Sequence, residues 1–395
     1  MKHRKISIIA AACMMYAVSA GLRSIYGILL DEIATQTGIA YASVSLAIAI
    51  GQLVFGVAQP VAGIIALKKS NTLVLVLGGM CIALGLAAIP FCAQTWMLMI
   101  FLGILLPMGT GAVSFGMIMS AITPRLGEKT AATASGLVNA SSGLGSIVLS
   151  PVLQRAFAAF GMKKTLIGFS AISLLLVPAA KIVCGAVQKA SSDSDEKAKV
   201  VPAIANAFRS RNFYFLLVGF FTCGFHMAII QTHLYSQILS FGIAETTAAL
   251  VFSIYGFASV AGSLLSGWLS SRFPMKYVVG TLYGSRVIWV LAFLLLPRTV
   301  PVVFAVIILL GFTGAATVTP TSGLTGKLFG IQNLATLFGI VFVSHQIGSF
   351  LSTWLGGKCF ELTGGYGFIW IAAACLSLCA MIASYSIDEN RRNVL

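Results

Sequence analysis

Charge is what this sequence has least of. Only 9% of its 395 residues are Asp, Glu, Lys or Arg, against about 25% in a soluble domain. With 58% hydrophobic residues, a water-soluble fold would leave large apolar patches in solvent. Acidic side chains are the scarcest charges. The ten are Asp31, Glu32, Glu128, Asp193, Asp195, Glu196, Glu245, Glu361, Asp388 and Glu389, and each falls in a polar stretch, at a terminus or at the end of an apolar run. Metal-ligand spacing is missing too. The eight cysteines lie in or at the ends of apolar runs and read as free buried thiols. No Gly-x-x-x-x-Gly-Lys-Ser/Thr loop and no catalytic triad is present, so ATP-driven transport by this chain alone is disfavoured, and neither an enzyme nor a cofactor is expected. A cleavable signal peptide is not expected either, because the apolar run after Lys5 continues past a signal h-region without a small-residue cleavage pattern.

What is there is a series of long apolar runs. A membrane helix needs about 20 mostly apolar residues. The runs predict spans near 6–30, 41–67, 72–92, 96–122, 132–160, 164–184, 212–239, 244–270, 277–297, 300–325, 334–358 and 367–387. The fold class is therefore an all-α membrane protein with 12 transmembrane helices in two pseudo-symmetric six-helix bundles. Residues 1–184 make the N-terminal bundle and 212–395 the C-terminal bundle. Residues 185–211 make a solvated linker with no fold of its own. With Met1 on side one, that side holds 18 of the Lys and Arg residues; the other holds five, Arg155, Lys163, Lys164, Arg298 and Lys358; Arg23 and Arg286 lie within spans. The positive-inside rule makes side one the cytoplasm, so both termini and the linker are expected there. The net charge of +15 is then a topology signal, and no nucleic-acid partner is implied.

The two halves repeat each other. At an offset of 203, Gly21 meets Gly224, Gly111-Ala112 meets Gly314-Ala315, Ala132-Thr133 meets Ala335-Thr336, Gly136 meets Gly339, and Gly145-Ser146 meets Gly348-Ser349. Parallel six-helix repeats are one known transporter plan, with the substrate site at their interface near midplane. The loops after spans 2 and 8, Gly63-Ile-Ile-Ala-Leu-Lys68-Lys69 and Gly267-Trp-Leu-Ser-Ser-Arg272, complete a pattern that resembles the major facilitator superfamily. Leu67 and Ser271 stand where that family has an acidic residue. A narrower resemblance lies in Gly21-Leu-Arg23-Ser-Ile-Tyr26-Gly27 of span 1 and Gly339-Ile-Val-Phe-Val-Ser-His345-Gln346 of span 11. These are similar to the bacterial monocarboxylate and oxalate–formate branch, which puts a cationic residue at the Arg23 position and, in some members, a Lys near His345. Span 8 lacks the Asp and Arg of the eukaryotic members. The resemblance implies a monomeric secondary transporter in the inner membrane of a bacterium.

Candidate site residues follow from charge. Arg23 and Arg286 are cations within spans, and no acid shares the membrane interior with them; an anionic substrate would complete the balance. Arg23 has Tyr26, Gly27 and Leu30 on its face, and its planar fork suits a carboxylate. Snorkelling toward the interface is the structural alternative. His226 is the repeat partner of Arg23, and His345 stands opposite Ser142. Free imidazole titrates near ~6.5, so both are candidates for substrate binding and for a co-transported proton. Gln52, Asn139 and Gln346 are candidate substrate contacts or interhelical glue; Gln346 points about 100° from His345, so only one of the two should face a cavity squarely. Arg286 reads as structural, since the resemblance puts the ninth helix outside the central path. The expected function is secondary, alternating-access transport of a small monocarboxylate-like anion with a proton. The alternatives are an exporter of drugs or neutral amphiphiles, an organic-anion exchanger, and a non-transporting membrane receptor.

Overall fold

A computed structural model describes residues 2–126, 128–185, 204–330 and 334–390, and among these the chain forms helices and no strand. Eleven helices in the described residues are long and apolar enough to cross a bilayer. One of them, Leu137–Cys184, has 48 residues. At about 1.5 Å per residue that is more than twice the roughly 30 Å hydrocarbon core. It turns over at Gly161, whose φ of 73° and ψ of 168° are non-helical; only glycine takes that conformation without a steric penalty. Spans 5 and 6 are therefore separate crossings, and the architecture is a twelve-helix, two-bundle membrane fold. The other close pair, spans 3 and 4, is divided by extended backbone at Gln94 (φ −135°, ψ 149°).

Contacts divide the chain into two units. The first is Met1–Ser192 with Gln231–Ser253, and the second is Asp193–Ile230 with Ile254–Leu395. Most of the expected linker, residues 186–203, lies outside the described residues. Its last part corrects the expectation of an unfolded segment through residue 211. Residues 204–209 are helical, and Ala207 is buried in a cluster with Phe213, Leu328 and Phe329. The apolar side chains of Ile204 and Ala207, four residues or fewer apart, give this short stretch a face to bury.

The repeat glycines report how helices cross within each unit. In the first, a Cβ on Gly145 would overlap the Ala17 carbonyl oxygen, and one on Gly21 would meet Gly145 at 2.9 Å. In the second, a Cβ on Gly348 would overlap the Phe221 carbonyl oxygen, and one on Gly224 would overlap that of His345. Span 1 thus crosses span 5 as span 7 crosses span 11, backbone against backbone, as small residues allow in membrane bundles. The repeat extends to helix breaks. The fourth span breaks at Val113 (φ −103°, ψ 37°), directly after the Gly111-Ala112 pair, and the tenth tightens to a three-residue-per-turn segment over Ala315–Thr317, which starts on the Ala of the Gly314-Ala315 pair.

Polarity runs opposite to that of a soluble protein. Leu264, Leu295 and Phe257 lie 70% or more exposed, while Gln52, His226, Arg286 and Gln346 are each about 1% exposed or less. Lipid accepts the apolar exterior, and the interior polar groups must find partners within the bundles.

Candidate functional site

Arg23 is the penultimate residue of the first helix, Lys2–Ser24. That helix breaks at Ile25 (φ −101°, ψ 13°) before resuming over Tyr26–Thr37. From this break the guanidinium reaches the second span, Tyr41–Lys68. Its Nη2 donates to Gln52 Oε1 at 3.0 Å, and its Cζ sits 3.6 Å from the centroid of the Phe55 ring. Gln52 and Phe55 are three residues apart and so share a face. Tyr26 and Tyr16 are close enough to interact electrostatically with Arg23. At this site Arg23 Nε and Tyr26 Oη are buried and have no partner among the described residues. No carboxylate pairs with Arg23 there either; the ion pairs are Lys327 with Glu389 and Lys358 with Glu361.

The arrangement can bind an anion. Planar donors, a phenol and an amide converge at a helix break, and the aromatic face of Phe55 holds the cation without neutralising it. Phe55 and Tyr16 are the residues that sequence reasoning missed. Their signal was spacing: Tyr16 lies seven residues before Arg23, and Phe55 three after Gln52. Asn139 belongs to the same unit but is not brought to Arg23. Its side chain is exposed, about 200° around the helix from the apolar stripe of Leu137, Leu144 and Val148, and its carbonyl accepts from the Ser142 hydroxyl at 2.7 Å.

In the second unit, His345 is stacked on Phe342 at 5.3 Å and lies 5.1 Å from Phe220. Its Nδ1 is 2.9 Å from Gln346 Oε1. The two side chains leave the helix about 100° apart, yet their polar ends meet. Rotation about the Gln346 side chain brings the amide back to the imidazole, and both residues are buried. His226 is fully buried and packs edge-on to Trp370 at 6.1 Å. It is placed toward span 9, with the Arg286 charge acting on it.

A polar group also gathers at the ends of spans 1, 2, 5, 7 and 8 in the first unit. Gln154 donates to Glu245 at 2.6 Å and accepts from Tyr235 at 2.7 Å, and Tyr41 Oη lies 3.1 Å from His233 Nδ1. Burial pushes the Asp31 carboxyl up from its ordinary range; a Ser236 hydrogen bond opposes this and the Glu245 charge adds to it. Burial also raises Glu32, helped by the charges of Glu245 and Asp31.

Comparison with known proteins agrees with this architecture. The sequence model described as Major Facilitator Superfamily matches residues 12–239 and 235–394. An MFS-type transporter of Bacillus subtilis (strain 168), YcxA, described as uncharacterized, is 24% identical over 84% of this chain and 82% of its own length. Monocarboxylate transporter 12 of Xenopus laevis is 25% identical over 74% of this chain and 68% of its own. Among solved structures, the nucleoside transporter NupG superposes with a TM-score of 0.81 at 15% identity, covering 96% of this chain and 98% of that one. A bacterial homolog of the human lysosomal transporter Spinster gives 0.72 at 15% identity, covering 98% and 95%. At that identity the structural likeness concerns the fold alone.

Proposed function

The chain belongs to the major facilitator superfamily, and from that premise we propose that it is a secondary transporter of a small organic anion of the monocarboxylate type. The observation that carries this reading is Arg23, a membrane-embedded cation with a buried, unpartnered Nε and no carboxylate beside it among the described residues. A substrate carboxylate would take the guanidinium fork, with the Tyr26 hydroxyl as a further donor and Gln52 holding the arginine in place. The likeness to a monocarboxylate transporter supports the substrate class. His345, with His226 as a second group, is the proposed carrier of a co-transported proton in a membrane interior that lacks acids. Asn139 in the first unit and Gln346 beside His345 in the second are further proposed contacts along the transport path, apart from the Arg23 fork. The proposed site of action is a bacterial inner membrane, with the chain acting as a monomer.

Uptake of labelled carboxylates into proteoliposomes, with and without a pH gradient, tests the reading. Losing a charge-assisted hydrogen bond costs about 1.5–3 kcal/mol, or roughly 10- to 150-fold in affinity. Arg23→Gln should therefore abolish useful uptake while the protein stays folded; near-normal substrate affinity returns Arg23 to a snorkelling role. Protonated His345 would favour anion binding, so affinity should weaken as pH rises through the imidazole range, and linkage makes the effect reciprocal. His345→Gln should flatten that dependence. Wild-type accumulation in both His345→Gln and the His226→Gln/His345→Gln double variant would remove the histidines from coupling.

A further inference from the structure

The second unit holds a buried cluster of donors around Arg286, of which only His226 enters the transport reading, as a second proton carrier. Arg286, on Met275–Leu295, is fully buried. Its Nη2 donates to the carbonyl oxygens of Thr313 at 2.6 Å and Gly314 at 3.2 Å. Those carbonyls end the helix Val300–Gly314, just before the tight turn of the tenth span. The role assigned to Arg286 by its sequence, structural support, accounts for this one nitrogen. Its Nε and Nη1 are buried and have no partner among the described residues.

Two further unpartnered groups share this place. A Cβ on Gly314 would stand 2.7 Å from the Tyr255 hydroxyl oxygen, so that hydroxyl lies against the same glycine whose carbonyl binds Arg286. Tyr255 Oη is itself buried without a partner. Cys223 Sγ approaches the Gly314 oxygen at 3.7 Å. One turn along that helix stands His226, with both ring nitrogens buried and unpartnered. The Arg286 charge acts on both His226 and Tyr255. The internal repeat gives the cluster a counterpart. The same 203-residue offset that pairs Arg23 with His226 pairs Gln52 with Tyr255. Spans 1 and 2 of the first unit hold an arginine and its amide; spans 7 and 8 of the second hold an imidazole and a phenol, with the arginine supplied by span 9.

These groups offer N–H and O–H donors and one full positive charge. The end of Val300–Gly314 supplies at most about half an elementary negative charge. No carboxylate pairs with Arg286 among the described residues. A buried charge left unpaired is far more costly than a buried pair. Water could accept the hydrogen bonds but would not balance the charge. We propose that Arg286, with Tyr255 and His226, binds a compact monovalent anion of halide size inside the second unit, separate from the Arg23 site.

The test is a bromide titration of the purified full chain in nanodiscs, followed by thermal unfolding, with gluconate keeping ionic strength constant. The expected result is a saturable rise in the unfolding temperature for wild type and for Arg23→Gln. Arg286→Gln should lose the rise. Tyr255→Phe, which removes only a hydroxyl, should shift the half-saturating bromide concentration upward by about 10-fold and decides the matter if Arg286→Gln does not fold. The proposal is overturned if wild type shows no saturable shift, or if Tyr255→Phe and a folded Arg286→Gln titrate like wild type. Loss of the rise in Arg23→Gln alone would assign bromide to the first site, overturning this second site while leaving the transport reading intact.

Discussion

Asp31 and Glu32 follow span 1 and meet Glu245 at the start of span 8, all within the first unit. Asp31 and Glu32 are half-buried and Glu245 is exposed; the three carboxylates repel one another when ionised, and both Asp31 and Glu32 are held above their ordinary range, burial being the larger cause. A raised folded-state value means that the folded protein binds the proton more tightly than the unfolded chain. Stability should then be gained as pH falls through the folded value and lost as it rises. Asp31→Asn imitates the protonated form and keeps an acceptor for Ser236. Its unfolding temperature should match wild type near pH 4 and exceed it increasingly toward about pH 7. A difference that stays constant across this range would show that Asp31 is not ionising in a strained environment. This cluster was not legible in the sequence, where the acids appear only as loop residues 214 positions apart for Asp31 and Glu245. Arg23 was legible because a lone charge in an apolar run is conspicuous. The Gln346 rotation toward His345 was not, since helical spacing gives the direction of a Cβ and leaves the remaining torsions to packing.

At the scale of helices, twelve apolar runs were readable because lipid demands about 20 apolar residues per crossing, with no soluble alternative to confuse the pattern. The breaks at Ile25 and Val113 were not readable, since each is an ordinary apolar residue whose backbone is set by its neighbours. The repeat glycines were readable as a pattern but not as individual roles. Gly348 and Gly145 sit at crossings, whereas nothing lies within 4 Å of a Cβ built on Gly339. That contrast predicts opposite signs. Gly348→Ala drives a methyl into the Phe221 carbonyl, and overpacking of this kind costs typically about 1–3 kcal/mol. Gly339→Ala adds a methyl to open space and favours the helical backbone, so it should be neutral or stabilising. Thermal unfolding of the two variants checks this, and equal losses in both would mean that span 11 does not cross span 7 so closely.

For the whole molecule, flanking charge decides which way it faces. Twelve crossings put both ends of the chain on one side, but helix packing is the same in either orientation, so direction must come from the charges that flank the spans. Eighteen Lys and Arg residues lie on the side of the termini and five on the other. Insertion retains Lys and Arg in the cytoplasm over short loops, and the loops here are short: residues 92–94 join spans 3 and 4. The charge asymmetry therefore predicts cytoplasmic termini and a cytoplasmic central segment. In a cysteine-free background, a membrane-impermeant maleimide added to intact cells should label Ala93→Cys, which is exposed in that turn. It should miss Ser192→Cys until the cells are opened. Strong labelling of Ser192→Cys in intact cells, with Ala93→Cys protected, would reverse the orientation, leaving the helix count and the Arg23 site untouched while exchanging the side from which the anion enters.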